Sequence, residues 1–133
     1  MDAPPGFAPF EPQGPFLEHV GPVLWRDDDG GPVFGLRVQD RHTNHRGTVQ
    51  GGLLSTFVDF AMGRAIDAES GDDKDRATVS LTVDFLKPAQ PGDWIQSSTR
   101  VERVGGTLSF ADCSLTVGGR EIVRGRAVWV VAS

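Results

Sequence analysis

Between Arg41 and Asp67 the chain reads RHTNHRGTVQGGLLSTFVDFAMGRAID. Polar turn formers give way at Gly51-Gly52 to a proline-free run of helix formers, the pattern of a loop feeding a helix. Within that run Gly52, Ser55, Thr56, Asp59 and Gly63 recur at spacings of three and four, so they share one face. Leu53, Leu54, Phe57, Val58, Phe60, Ala61, Met62, Ala65 and Ile66 are apolar on almost every other side, which predicts a buried helix. Asp59 is its one acid before the C-terminal end, and a carboxylate in such surroundings is costly unless something needs it. Either it only bonds a nearby backbone or hydroxyl group, or it belongs to a site.

The first turn of a helix has N–H groups without intrahelical acceptors and carries partial positive charge. Gly51 and Gly52 leave that end uncovered. It is therefore either an ordinary glycine-rich helix start or a place where a carbonyl oxygen gains negative charge against backbone donors. At the rise of an α-helix, Asp59 lies ~10 Å along the axis from Gly52, too far for one acid to reach a carbonyl held at its own helix start. A second copy of the helix, antiparallel across a twofold axis, closes that gap, and the small residues of the stripe suit such a contact. A site shared between two subunits follows as an expectation.

The run Asn44-x-x-Gly47-x-x-Gln50-Gly51-Gly52, with Asp59 seven residues beyond Gly52, resembles the helix-start motif of the PaaI-like hotdog-fold acyl-CoA thioesterases. The likeness spans roughly Gly21 to Val131. It implies an α+β hotdog fold, a curved antiparallel sheet wrapped around one long central helix, assembled as a homodimer and commonly as a dimer of dimers. It also implies an acyl-CoA substrate, hydrolysed at the thioester without a cofactor. By the same resemblance the Gly51 N–H polarises the thioester carbonyl, and Asn44 orients the carbonyl or the attacking water. Asp59 from the other subunit is the general base or nucleophile, and Thr78 helps hold the water. Gly47, Gly52, Thr56 and Gly63 line the substrate's path. The family usually has His where this chain has Gln50, which donates and accepts hydrogen bonds but carries no proton charge. That departure favours an alternative, a non-catalytic acyl-CoA binding module; Asp59, Asn44 and Thr78 together argue for the enzyme. A hotdog hydratase is the weaker rival, since the motif lacks its His.

The elements that must position these residues are legible around them. Residues 1–20 read as a Pro-rich leader, extended or mobile from Met1 to Gln13 and suited to a short helical turn from Pro15 to Val20, and residues 21–133 as one domain. Val23-Leu24-Trp25 and Val33 to Val38 read as strands joined through Asp27 to Gly31. That acidic run lacks the spaced ligands of a calcium loop. After the helix, with Gly71 available as its cap, Val79, Leu81, Val83 and Phe85 alternate with Thr78, Ser80, Thr82 and Asp84, predicting a strand whose apolar face closes over the helix. Thr78 at its start is either a plain β-former or a hydroxyl beside Asp59. Long strands from Trp94 to Val104, Thr107 to Val117 and Glu121 to Val131 are joined at Gly105-Gly106 and Gly118-Gly119 into an antiparallel meander.

At 133 residues the chain suits one domain with one core, and a net charge of −5 argues against nucleic acid or an anionic membrane surface as partner. No segment has the length of a membrane span and the N-terminus lacks a signal-like pattern, so a cytoplasmic setting is expected. Cys113, the only cysteine, reads as a buried, inert thiol. His42 and His45 lack a ligand set, so no metal is expected. For the coenzyme's phosphates Arg64, Lys87, Arg100, Arg103, Arg124 and Arg126 are candidates. Phe57, Phe60, Phe85 and Trp94 either fill the core or line an acyl pocket.

Overall fold

A computed structural model describes residues 3–132. Along the chain come β1 (Ala8–Pro9), α1 (Pro15–Val20), β2 (Leu24–Asp28), β3 (Gly31–Arg37), α2 (Gly51–Ser70), β4 (Arg76–Phe85), β5 (Trp94–Val104), β6 (Leu108–Val117) and β7 (Arg120–Val131), with a 3-10 turn at Asp40–His42. The strands make one antiparallel sheet in the order β1-β2-β3-β5-β6-β7-β4, and α2 packs against β3 to β7. This is the hotdog arrangement expected from the motif. Among the described residues no helix is long and apolar enough to cross a membrane.

The helix starts where the glycines release it and stops at Gly71, whose φ of 64° suits a residue without a Cβ. Leu54, Phe57, Val58, Ala61, Met62, Ala65 and Ile66 are buried and face the sheet. The expectation that the helix is buried on almost every side is corrected. Gly52 is exposed, and Ser55, Thr56, Asp59, Phe60 and Gly63 are half-buried, because the sheet wraps only the apolar side of one copy.

The strand after the helix also departs from expectation. Leu81 and Val83 are half-buried, but Val79 is 59% and Phe85 54% exposed, so the apolar face of β4 does not close over α2 along its length. The reasons are position and register. β4 is the outermost strand on its side of the sheet, and its pairing with β7 slips between Thr78 and Ser80. A bulge of this kind leaves one residue unpaired and reverses the alternation beyond it. Thr78 pairs with Trp129, Leu81 with Ala127 and Val83 with Gly125. Gly125 lies against Val58 of α2, so Thr78 shares the helix-facing side with Leu81 and Val83.

The β2–β3 turn is tighter than the acidic run suggested: Asp28 pairs with Gly31, leaving Asp29-Gly30 as the turn. Gly35 in β3 has the closest neighbour of any glycine among the described residues, the Trp94 ring on the sheet face turned away from α2. A Cβ there would lie 1.9 Å from the Trp94 ring, which is held by a Trp94 Nε1–H bond to Gln96 Oε1 at 3.0 Å and an edge contact with Phe7. Gly35→Ala is therefore expected to destabilise the fold by about 3 kcal/mol or more. Thermal unfolding should show a midpoint lowered by roughly 10 °C, and an unchanged midpoint would mean that Trp94 moves aside freely. Phe57 fills the core, while Phe60 stacks edge-on against Phe10 and Phe34. Cys113 is buried, and burial pushes its thiol up to about 11.

The leader is pinned at several points. β1 pairs with β2, Leu17 of α1 is buried, and the Gln13 side chain bonds both N–H and C=O of Val23. Arg41 donates to the carbonyls of His19 and Gly21, and His42 Nε2 meets the Val20 carbonyl at 2.7 Å. His42 Nδ1 accepts the Gln39 N–H at 2.9 Å, so Nε2 carries the proton. Burial lowers the pKa of this imidazole, which keeps the neutral form that the bond from the Gln39 N–H requires.

Candidate active site

Asp59 projects from the open stripe of α2 and accepts a hydrogen bond from Thr78 Oγ1 at 2.7 Å. Thr78 reaches it because the bulge turns that hydroxyl inward. The start of β4 is clamped two residues earlier, where Arg76 donates to Asp72 at 2.9 and 3.0 Å and to Ser70 at 3.3 Å. The Arg76 guanidinium holds the Asp72 carboxyl down at about 2. Removing the Thr78 hydroxyl should free the carboxylate to rotate. Thr78→Val is expected to lower kcat roughly 10- to 100-fold, the range of a hydrogen bond to a charged group, with the melting temperature little changed. Thr78→Ser should retain the bond and most of the rate; equal losses in both variants would show that the hydroxyl is not what matters.

At the other end of the stripe, Gln50 caps α2 through its backbone. Its N–H donates to His42 O at 2.9 Å, and its carbonyl accepts Leu53 and Leu54 N–H at 3.0 and 3.3 Å. Its side chain makes no capping bond and is exposed. The Gly51 and Gly52 N–H groups have no acceptor behind them in the helix. A Cβ on Gly51 would stand 3.4 Å from the Phe85 ring, an ordinary contact.

The loop before the helix is a small closed turn. Asn44 Oδ1 accepts the Arg46 N–H at 2.8 Å, Asn44 Nδ2 donates to Thr48 Oγ1 at 3.2 Å, and Gly47 at φ 81° donates to Asn44 O at 3.0 Å. Asn44 thus shapes the loop and also lines the space beside the helix start. Gly47 borders none of the cavities next to α2; its positive φ closes the turn. Thr56 Oγ1 bonds back to Gly52 O at 2.9 Å.

Three cavities surround these groups. The first, about 770 Å³, is bordered by Asn44, Gln50, Gly52, Leu53, Thr56 and Phe16. The second, about 360 Å³, holds Asp59 with Thr56, Gly63, Thr78, Trp129 and Phe16. The third, also about 360 Å³, lies across the helix start and is bordered by Asn44, Gly51, Arg46, Lys87, Phe85 and Leu86. Gly51 and Asp59 of one chain share none of them.

Of the cations considered for phosphate binding, Arg100 pairs with Asp112 at 2.6 Å, Arg124 with Glu121 at 2.7 Å, Arg126 with Glu102 at 3.0 Å and Arg64 with Asp67 at 2.7 Å. Lys87 alone of that group borders the helix-start cavities, together with Arg46. Sequence reasoning missed Arg46, Arg41 and Phe16. Arg46 lies inside the motif itself and was within reach; the other two act through contacts that the chain makes only when folded.

Residues 46–123 match the thioesterase superfamily. Over 130 residues the chain is 36% identical to a Pseudomonas aeruginosa protein provisionally named an esterase, covering 97% of each. It is 33% identical over 94 residues to acyl-coenzyme A thioesterase 13 of Mus musculus, covering 68% of this chain and 66% of that protein. A solved Ralstonia eutropha protein described as phenylacetic acid degradation-related superposes with a TM-score of 0.80 at 26% identity, over 91% of this chain and 93% of that one.

Proposed function

The chain belongs to the thioesterase superfamily and is a thioester hydrolase, and from that premise we propose that it hydrolyses acyl-CoA esters at a site shared between two copies of itself. The observation that carries this is the Thr78–Asp59 pair on an uncovered helix face. Its own helix start lies ~12 Å away along the axis. The open stripe and the exposed Val79, Phe85 and Leu86 at the β4 edge support a second copy packing there. The likeness to the Mus musculus acyl-coenzyme A thioesterase supports a coenzyme A ester as substrate.

In this reading the thioester carbonyl lies against the Gly51 N–H. Asp59 of the other copy takes a proton from water as its oxygen bonds to the carbonyl carbon, and the negative charge that develops on the carbonyl oxygen is held by the helix start. Collapse of the tetrahedral species breaks the C–S bond, and the proton leaves Asp59 for the departing sulfur. Thr78 fixes the carboxylate. Asn44 and Gln50 supply neutral hydrogen bonds beside the carbonyl; Gln50 cannot supply the proton, which therefore travels through Asp59 alone. Gly52, Thr56 and Gly63 give a narrow, close-approach path along the stripe.

Thiol release from a panel running from short aliphatic to phenylacetyl and benzoyl CoA esters tests this, alongside the mass of the active species in solution. Turnover confined to an associated form is expected. A monomer that hydrolyses at the full rate would end the shared-site reading, and an ester that binds yet stays intact would end the hydrolytic one.

A further inference from the structure

A thioester held at the start of α2 has two limbs, and two cavities flank that start, both touching Asn44. They differ in chemistry. The third cavity carries Arg46 and Lys87, neither in an ion pair among the described residues, beside the exposed Phe85 and Leu86. In the first, the guanidinium of Arg41 is already engaged by the carbonyls of His19 and Gly21, and the border is mixed, with Leu53, Val20 and Phe16 as its apolar part beside neutral polar groups such as Thr43, Gln50 and Thr56.

Phe16 is 62% exposed, yet its backbone is not loose. Leu17 is buried beside it, and Arg41, His42 and Gln13 tie down both ends of α1. The ring stands where the first cavity meets the one around Asp59; Phe16 and Thr56 are the residues common to both. It also lies outside residues 46–123, the stretch that matches the superfamily. An aromatic carried on a pinned backbone at the border of a cavity can serve as its end wall.

We propose that the acyl limb lies in the first cavity and stops against Phe16, which sets the longest acyl group the site accepts, while the phosphate-bearing limb leaves over Arg46 and Lys87. This rests on the acyl-CoA reading above and deepens it. Each methylene that finds apolar surface adds roughly fourfold in affinity, so affinity should climb with acyl length and then break where the chain meets the ring.

The test measures binding of S-(2-oxoalkyl)-CoA thioethers, which cannot be hydrolysed, across a range of chain lengths, together with the matching pantetheine thioethers. Phe16→Ala should move the break to longer chains, with roughly fourfold per additional methylene beyond the wild-type limit, and Phe16→Trp should move it to shorter ones. Arg46→Glu and Lys87→Glu should weaken all CoA thioethers by a similar factor and leave the pantetheine series unchanged. The same break in wild type and Phe16→Ala overturns the proposal. So does a Phe16→Ala chain that loses self-association with no change in length dependence, which would mark the ring as a contact between copies. A break that moves in a protein that leaves thioesters intact upholds the limb assignment and removes only the hydrolytic reading; hydrolysis with an unmoved break does the reverse.

Discussion

Asp59→Ala is expected to reduce thiol release by about 10²–10⁴-fold, the range for a lost general base, while acyl-CoA binding persists. The separation of the two effects follows from where the side chain stands. Asp59 is half-buried on the open stripe and accepts a hydrogen bond from Thr78. Truncating it opens no core cavity, so the melting temperature should hardly move, unlike a change at Phe57 or Met62. Asp59→Asn keeps shape and can still bond Thr78, but it cannot take a proton; it should be as slow as Asp59→Ala. Thiol release and calorimetric binding on the same preparations decide the matter. Full activity in Asp59→Ala would remove Asp59 from the reaction, and loss of binding in step with rate would make it a substrate contact instead.

The second large effect is expected at Gly51, where backbone rather than side chain is proposed to act. Proline at the first position of a helix is well tolerated because that N–H has no intrahelical partner. The residue before it, Gln50, already has φ −61° and ψ 131°, the extended conformation that a following proline prefers. Gly51→Pro thus deletes one donor with little change elsewhere and should lower kcat by about 10²–10³, the loss seen when an oxyanion donor is removed. Gly51→Ala keeps the N–H, and its Cβ makes only the 3.4 Å contact with Phe85, so it should stay active. Equal activity in the proline and alanine variants would show that this N–H does not hold the oxyanion. Mixing the two inactive chains, Asp59→Ala and Gly51→Pro, tests sharing directly. In a mixed dimer one site has both defects and the other has neither, so random reassociation should restore about a quarter of wild-type activity if the twofold site is right. No recovery would place both groups in one subunit's site.

The stripe Gly52, Ser55, Thr56, Asp59 and Gly63 was legible because helical periodicity is local: once the run from Gly51 is helical, those side chains must lie together. The same holds for the hairpins at Gly105-Gly106 and Gly118-Gly119 and for the stop at Gly71, where short-range backbone geometry dictates the turn. Whether the stripe is buried is not local. The sheet covers only the apolar side of α2, which periodicity alone did not reveal. Nor did composition show which arginines are paired, since Arg100 meets Asp112 on the adjacent strand and Arg126 meets Glu102 two strands away, contacts that only the folded sheet makes.

By itself, then, the sequence determined a helix with one acid on a face of small residues, a glycine start for it, and strands enough to wrap it. Only the tertiary structure decided that Thr78 touches that acid. Strict alternation puts Thr78 opposite Leu81 and Val83; the register slip against β7 leaves Val79 unpaired and brings Thr78 round to the helix side. A bulge costs little locally and is selected by how two distant strands align, so the sum of cross-strand contacts, not the order of residues along β4, sets which way the hydroxyl points.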